Sequence, residues 1–460
     1  MDEIIRNFWT KKPSLYDDPL TLDEVSKKRY KKYGLCEECK QANTYDSYCR
    51  SCKSKYFQQN FKNWTSGNHA VDDFIQKAQL KAENDWCIIE WIEYDEFEDI
   101  EYLAKGGFGT TYKAIWKDGY IKVNYENGQL ERNGKTKVAL KCLHNSQDIT
   151  ADFLKEVKSH TLTNGSGLVV RCFGITKDPK TNNFIMVMEL KKRNLRQHLN
   201  ENFNSLKWKD KLIILRMILS GLSEIHNNEL IHCDLHCGNI LNDFDNVEWT
   251  YITDLGLCQP ASIMPSQNNN KKLFGVLPYV APEVLRGNDY TQASDIYAFG
   301  IIAYEVCTGL PPYRDIVHDE FLAMKICRGL RPNSSYKIPQ LIFDIISQCW
   351  DTDPSKRPKA EDLYDLFTNL QMYISFDTKY SIIYKQFKEA DEINERSPYS
   401  SITSTSLSTD ALSYTSRLLD FKNLPEPKNA DNDHNDLFEK EYSDSTRIDF
   451  TKLNINSKDE

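Results

Sequence analysis

The chain has 460 residues, 40% of them hydrophobic and 12% aromatic, so it is longer than one core ordinarily accommodates and apolar enough to build a sizeable one. A formal net charge of -9 argues against nucleic acid or an anionic membrane as the main partner. No apolar run is long and uncharged enough to span a bilayer, since Ile301 to Val306 already contains Glu305. The opening Met1-Asp2-Glu3-Ile4-Ile5-Arg6 lacks the basic start and apolar core of a secretory signal. The 13 cysteines are therefore expected to be thiols or metal ligands rather than disulfides, in a protein of the cytoplasm, with the nucleus as the alternative compartment.

In chain order, residues 1–33 form a basic leader whose run Lys27-Lys28-Arg29-Tyr30-Lys31-Lys32 reads first as a solvated helix face. Cys36, Cys39, Cys49 and Cys52 then form Cys-x2-Cys-x9-Cys-x2-Cys. Each pair aims two thiolates at one point, and four such donors close a tetrahedral structural zinc site, which is favoured over a chance cluster. The module, residues 34–56, resembles zinc ribbons or Ran-binding-type fingers, the nine-residue gap and the lack of a Trp just before Cys36 leaving the type open; modules of this kind bind protein or RNA, or hold a terminus. Residues 57–94 are expected to be a linker carrying one amphipathic helix, because Val71, Phe74, Ile75, Ala78 and Ala82 recur at helical spacing with Asp72 and Asp73 in the first turn.

Ile100 to Leu103 alternates like a strand and leads into Ala104-Lys105-Gly106-Gly107-Phe108-Gly109, followed by Thr111-Tyr112-Lys113-Ala114. Glycines there let backbone N–H groups approach a triphosphate. Residues 120 to 137 are polar and punctuated by glycine, and read as an extended loop. Val138-Ala139-Leu140-Lys141 reads as a buried strand presenting one ammonium group; Glu156 follows on a helix; Phe184 to Leu190 is a further core strand. Leu212, Leu215, Leu219, Leu222 and Ile225 place an apolar stripe on a long helix that runs into His232-Cys233-Asp234-Leu235-His236-Cys237-Gly238-Asn239. Asp254-Leu255-Gly256 comes soon after. One carboxylate facing a hydroxyl, with an amide and a second carboxylate to hold metal ions on phosphates, is the set that phosphoryl transfer from ATP requires.

These motifs, in this order, resemble those of eukaryotic protein kinases over residues 95–373. The group is closest to the tyrosine-kinase-like kinases, and the layout resembles an expanded kinase family of mycorrhizal fungi. The resemblance implies a two-lobed α+β fold: a small lobe of antiparallel sheet plus one helix, then a larger helical lobe. It implies ATP and Mg2+ as cofactors beside the structural zinc, and protein substrates. Lys141 would grip the α- and β-phosphates and Glu156 would orient it; Asp234 would be the base, and Asn239 and Asp254 the magnesium ligands. Leu103, Ala104, Lys105, Gly106, Gly107, Phe108, Gly109, Thr111, Ala139 and Leu241 would surround the nucleotide. Met188 would be the gatekeeper, with backbone groups of Glu189 and Lys191 on the adenine edge. Asp295 would hold the catalytic loop and Arg357 would pair with Glu283 of Ala281-Pro282-Glu283, both structurally.

Several positions depart from that pattern. Ala104 replaces a glycine and Thr111 a valine; Cys233 replaces the arginine that usually reads a phosphate on the activation segment. Activity independent of phosphorylation there is expected, although Ser262, Ser266 and Tyr279 offer hydroxyls. His236 and Val276 replace the lysine and threonine of serine/threonine kinases, which blurs the choice of acceptor. The Ala-Ala-Arg or Arg-Ala-Ala signatures of tyrosine kinases after the catalytic Asp are also missing, and on motif grounds Ser/Thr acceptors are favoured with Tyr as the alternative. A pseudokinase scaffold is the rival reading, opposed by the presence of Lys141, Glu156, Asp234, Asn239 and Asp254. Residues 374–460 are Ser/Thr-rich, then acidic, and are expected to be disordered around an apolar island at 414–427. The cysteine module or this tail could engage a protein partner, whereas nucleic acid and membrane are disfavoured.

Overall fold

A computed structural model describes residues 22–107, 109–143, 151–242, 247, 249–261, 273–375, 382–396 and 414–429. They form two units. One takes in the chain up to Lys192 with Glu224–Leu230 and Tyr251–Cys258; the other takes in Arg193–Ser223, Ile231–Thr250 and the chain from Gln259 onward.

The first unit opens with α1 (Leu22–Tyr33), whose basic residues Lys27, Lys28, Lys31 and Lys32 are exposed. The first cysteine turn closes where the Cys36 N–H donates to Gln41 O at 2.8 Å and the Lys40 N–H to Cys36 O at 2.9 Å. The second pair leads into α2 (Arg50–Asn60), with Cys52 in its first turn. That helix runs across the boundary expected at 56/57. Helix α3 (His69–Lys81) buries Val71, Phe74, Ile75 and Ala78, the face that the sequence periodicity sets, and Asn68 caps it by accepting the N–H groups of Ala70 and Val71.

The sheet is built from β1 (Glu90–Trp91), β2 (Phe97–Lys105), β3 (Gly109–Trp116), β6 (Thr136–Leu143), β7 (Cys172–Lys177) and β8 (Phe184–Glu189), in the order β1-β7-β8-β6-β3-β2. It is antiparallel except for the parallel pair β1–β7, which brings the end of the expected linker into the sheet. Its core is Ile92, Phe97, Ala114, Trp116, Val138, Leu140, Phe173, Ile185 and Val187. Helix α4 (Ala151–Thr163) packs on β7 and on α3.

The loop expected between 120 and 137 is instead a hairpin, β4 (Ile121–Val123) paired antiparallel with β5 (Leu130–Arg132). Three residues per strand are too few for an alternation to register in sequence. Val123, with Ile121 and Leu130 against it, joins Tyr48, Phe57, Ala82 and Ile88 in a second core. Lys53 Nζ donates to Gly128 O at 2.6 Å, and the Val123 N–H donates to Asp85 Oδ2 at 3.1 Å. The hairpin thus fastens the cysteine module to the chain that leads into the sheet.

In the second unit, β9 (Arg193–Asn194) precedes α5 (Leu195–Asn202), which starts in a capping box made by Asn194 and Gln197. Helix α6 (Trp208–Asn227) buries Leu212, Leu215, Leu219 and Leu222 completely, as the stripe requires. β10 (Ile240–Asn242) pairs with β9. Next come β11 (Leu273–Gly275), α7 (Gln292–Thr308), α8 (Glu320–Cys327), α9 (Gln340–Cys349) and α10 (Ala360–Ser375). Every residue of α7 from Ser294 onward is buried, which makes it the central helix of this unit. Arg357 clamps Glu283 through two contacts of 2.7 and 2.8 Å, both side chains buried, as the motif reading expects.

Two stretches of the tail have described structure. Helix α11 (Ile382–Arg396) lays Phe387 edge-on against Trp208 at 5.4 Å. The apolar island contains β12 (Arg417–Leu419), paired antiparallel with β11. Burial of Phe387, Ala390, Leu419 and Leu424 supplies the apolar surface that the surrounding composition lacks.

Candidate functional site

Strand alternation decides which side chains of β6 face the core. Val138 and Leu140 point into it, so Ala139 and Lys141 stand on the other face. Cross-strand partners share a face. Register sets Thr111 and Met186 against Lys141, and Met188 against Ala139, so these side chains line one surface. The β2–β3 turn closes with the Gly106 N–H donating to Gly109 O at 2.8 Å. A Cβ on Gly109 would stand 2.4 Å from Cys142 O, so only glycine lets β3 approach β6 there. Leu103, Ala104, Lys105, Gly106 and Gly107 are exposed, Leu103 to 44%, while Phe108 lies outside the described residues.

Lys141 Nζ lies 2.7 Å from Glu156 Oε1 and 2.7 Å from Asp254 Oδ1. Three parts of the sequence, β6, α4 and the Asp-Leu-Gly turn, thus meet at one ammonium group. Burial works against the Lys141 cation, but Asp254 and Glu156 outweigh it and hold its pKa above the ordinary value. Burial raises the Glu156 carboxyl, which Lys141 opposes and Asp254 reinforces. One cation between two carboxylates leaves a surplus negative charge, and the more buried acid feels it most. Asp254 has φ +62°, in the left-handed region that aspartate tolerates better than most residues. At the end of β8, the Glu189 N–H donates to Arg171 O at 2.9 Å. Lys191 donates to the Glu189 side chain at 2.7 Å and sits 3.7 Å over the Tyr251 ring.

In the second unit Asp234 and Asn239 are held together: Asn239 Nδ2 donates to Asp234 O at 2.9 Å, and both are buried. The loop is pinned from α7, where Asp295 accepts the His232 N–H at 2.8 Å and the Cys233 N–H at 3.1 Å. Those bonds hold Cys233 at φ +69°, a conformation that costs a non-glycine residue about 1–3 kcal/mol. Gln259 Nε2 donates to Cys233 Sγ at 3.2 Å, a neutral contact where kinases commonly place an arginine. His236 Nδ1 accepts the Gly238 N–H at 3.0 Å, which puts the proton of the neutral ring on Nε2, 3.8 Å from Asp234 Oδ2. Leu241 lies half-buried on β10 opposite Asn194. A pocket beside Asp234 is lined by Val276, Tyr279, Val280 and Tyr290.

Sequence reasoning missed Arg196 and Glu305. Arg196 pairs with Glu305 at 2.9 Å, and both hydrogen-bond the Tyr279 hydroxyl. On α5 an arginine carries no local mark that separates it from a solvated one. The Tyr279 hydroxyl, counted in sequence among the acceptors of the activation segment, is buried and committed; Ser262 and Ser266 lie outside the described residues.

The four sulfurs of Cys36, Cys39, Cys49 and Cys52 lie within 4.8 Å of one another, with Cys36–Cys52 at 3.7 Å and Cys39–Cys49 at 3.5 Å. Thiolates placed tetrahedrally about 2.3 Å from a zinc ion are about 3.8 Å apart, so the cluster has the right size. Burial pushes the Cys49 and Cys52 thiols up, and four thiolates in so small a volume repel unless a cation sits among them.

A family model described as protein tyrosine and serine/threonine kinase matches residues 97–367, more than half of the chain. The chain belongs to that family. The chain is 31% identical over 291 residues to the "Probable serine/threonine-protein kinase roco5" of Dictyostelium discoideum, covering 59% of this chain and 10% of that one. It is 29% identical over 301 residues to the "Putative serine/threonine-protein kinase/receptor R831" of Acanthamoeba polyphaga mimivirus, covering 62% and 17%. It is 25% identical over 339 residues to "Mitogen-activated protein kinase kinase kinase 7" of Bos taurus, covering 72% and 54%. The tyrosine-kinase-like grouping agrees with these relatives, of whose own length this chain spans between a tenth and about half. No helix among the described residues is long and apolar enough to cross a membrane.

Proposed function

We propose that the chain is an ATP- and Mg2+-dependent protein kinase that phosphorylates Ser and Thr residues of other proteins in the cytoplasm. The observation that carries this reading is the approach of Lys141 Nζ to within 2.7 Å of both Glu156 and Asp254. An ammonium group so held, and kept charged by its neighbours, is ready to meet phosphate oxygens without reorganising. Residues Leu103 to Gly109 would cover the triphosphate with backbone N–H groups. Thr111, Ala139 and Leu241 would flank the adenine, and the Glu189 carbonyl and Lys191 N–H would bond its edge. Magnesium would be held by Asp254 and the Asn239 amide oxygen, the Asn239 Nδ2 being given to the loop, and would neutralise charge on the phosphates.

Asp234 would orient the acceptor hydroxyl and take its proton. His236, with Nε2–H toward Asp234, would stand in for the lysine of other serine/threonine kinases. The neutral Cys233–Gln259 contact offers no charge for an activation-segment phosphate, so activity independent of that modification belongs to the same reading. The Ser/Thr preference draws on the relatives' names; Tyr remains the alternative acceptor. The cysteine module would hold one structural zinc. The same proposal takes residues 95–373 as the catalytic domain, and includes kinship with the expanded kinases of mycorrhizal fungi.

The test is γ-phosphate transfer by the purified chain to dephosphorylated casein, with phosphoamino-acid analysis and a magnesium titration. Wild type should yield phosphoserine and phosphothreonine only with magnesium present, and Asp254→Ala should yield neither. Transfer by Asp254→Ala at the wild-type rate would remove the proposed metal ligand, and a folded wild type without transfer would favour a pseudokinase scaffold.

A further inference from the structure

The apolar island of the tail does not hang free of the kinase domain. β12 adds a strand to β11, in the segment between Asp254-Leu255-Gly256 and Ala281-Pro282-Glu283: Leu419 stands opposite Leu273, Leu418 opposite Phe274, and Arg417 opposite Gly275. Side-chain and backbone contacts fix both flanks of the strand. Upstream, the Tyr414 hydroxyl donates to Pro312 O at 2.9 Å, its ring meets His318 edge-on at 4.8 Å, and the Arg196 guanidinium lies 4.2 Å over it. Downstream, Arg286 donates to Leu424 O at 3.3 Å and forks onto the Glu426 carboxylate, and the Lys428 N–H donates to Cys327 O at 2.9 Å. Leu419 and Leu424 are buried to 4% and 9% exposure.

The strand passes the proposed base. Gly275 has φ +154°, and a Cβ on it would stand 3.8 Å from Asp234 Oδ1. Its partner across the ladder is Arg417, and the preceding residue, Ser416, has a buried hydroxyl with no hydrogen-bond partner among the described residues. A buried hydroxyl left unpaired is costly and rare in folded proteins. Here it lies one residue from the ladder position that faces the catalytic carboxylate.

We propose that residues 414–429 are the chain's own acceptor peptide, seated along the activation segment, and that Ser416 is phosphorylated in cis. This rests on the kinase reading above. In the transfer, Ser416 Oγ forms a bond to the γ-phosphorus of ATP. The bond from that phosphorus to the β,γ-bridging oxygen breaks, ADP leaves with its electron pair, and the hydroxyl proton passes to the Asp234 carboxylate. Before transfer the tail closes the groove to other protein substrates. Afterwards a phosphate of about -1.5 to -2 charge beside the Asp234 carboxylate repels the strand and opens the groove.

The experiment uses the full chain. Without nucleotide, hydrogen exchange of peptides covering 414–424 should be protected, and Leu419→Asp should raise their exchange at least tenfold; should that variant misfold, Arg286→Ala, which removes the Glu426 clamp, replaces it. With ATP and magnesium, mass spectrometry should find phosphate on Ser416, gained at a first-order rate unchanged by tenfold dilution. Leu419→Asp should lose that phosphate and phosphorylate dephosphorylated casein several-fold faster than unphosphorylated wild type. Wild type that phosphorylates casein as fast as Leu419→Asp while its own Ser416 stays unmodified, phosphate on Thr415 in its place, or a rate proportional to enzyme concentration each overturns the proposal while leaving the kinase reading intact. A chain that phosphorylates nothing overturns both, and the exchange measurement still reports whether the tail is seated.

Discussion

Replacing Lys141 with methionine keeps the side-chain length and removes the charge on which two carboxylates converge. Unit charges about 4 Å apart at an effective dielectric of about 20 attract by roughly 4 kcal/mol, so each of the two contacts is substantial even after desolvation. In function, losing one preorganised charge aimed at the reacting phosphates should cost about 3 kcal/mol, a fall of roughly 10²–10³ in turnover. In stability the expectation depends on pH. Burial, reinforced by Asp254, already raises the Glu156 carboxyl, and without Lys141 nothing opposes that shift. A carboxyl whose folded pKa exceeds its unfolded value binds its proton more tightly when folded. Its contribution is therefore complete below the ordinary glutamate range and is lost as pH rises through the folded pKa. The variant should fold well in mild acid and lose Tm more steeply than wild type as pH rises above the ordinary glutamate range. In wild type the Lys141 ammonium, itself raised, keeps the cluster charged until well above its ordinary value of 10.5. Initial rates on casein with a Tm series over rising pH read both effects. A rate within threefold of wild type, or a Tm profile parallel to it, would refute the reasoning.

Metal removal should act at a distance from the nucleotide. The purified chain should carry about one zinc per molecule, and chelation or Cys36→Ser should lower Tm and raise hydrogen exchange in the 121–132 hairpin that packs against the module. Arg357→Ala leaves Glu283 buried without its partner and should cost about 3–5 kcal/mol in urea unfolding. Ser262→Ala and Ser266→Ala should leave purified-enzyme activity within about twofold, because Cys233 offers no charge to read a phosphate there.

What was legible in sequence follows the physics of each feature. The sheet core and the stripe on α6 were readable because burial imposes a period of two on a strand and of 3.6 on a helix. The Lys141–Glu156–Asp254 convergence spans 113 residues of sequence, so no local pattern contains it; only the order of motifs pointed to it. Asp295 was readable for the same reason, as was Arg357. The 121–132 hairpin was not, since its strands are too short to show alternation and its apolar contacts lie on the cysteine module. Arg196 and Glu305 form an ion pair between residues 109 positions apart, with no motif around either. The tail strand was visible only as an apolar island; its seat is set by the free edge of β11, a tertiary property.

The most direct measurement is single-turnover phosphoryl transfer by Asp234→Asn, which keeps the shape of the side chain and removes its ability to accept a proton. The account predicts a rate lower by about 10²–10⁴ with ATP affinity unchanged, since Lys141, Glu156 and Asp254 are untouched. A rate within a few-fold of wild type would mean that Asp234 is not the group that receives the hydroxyl proton.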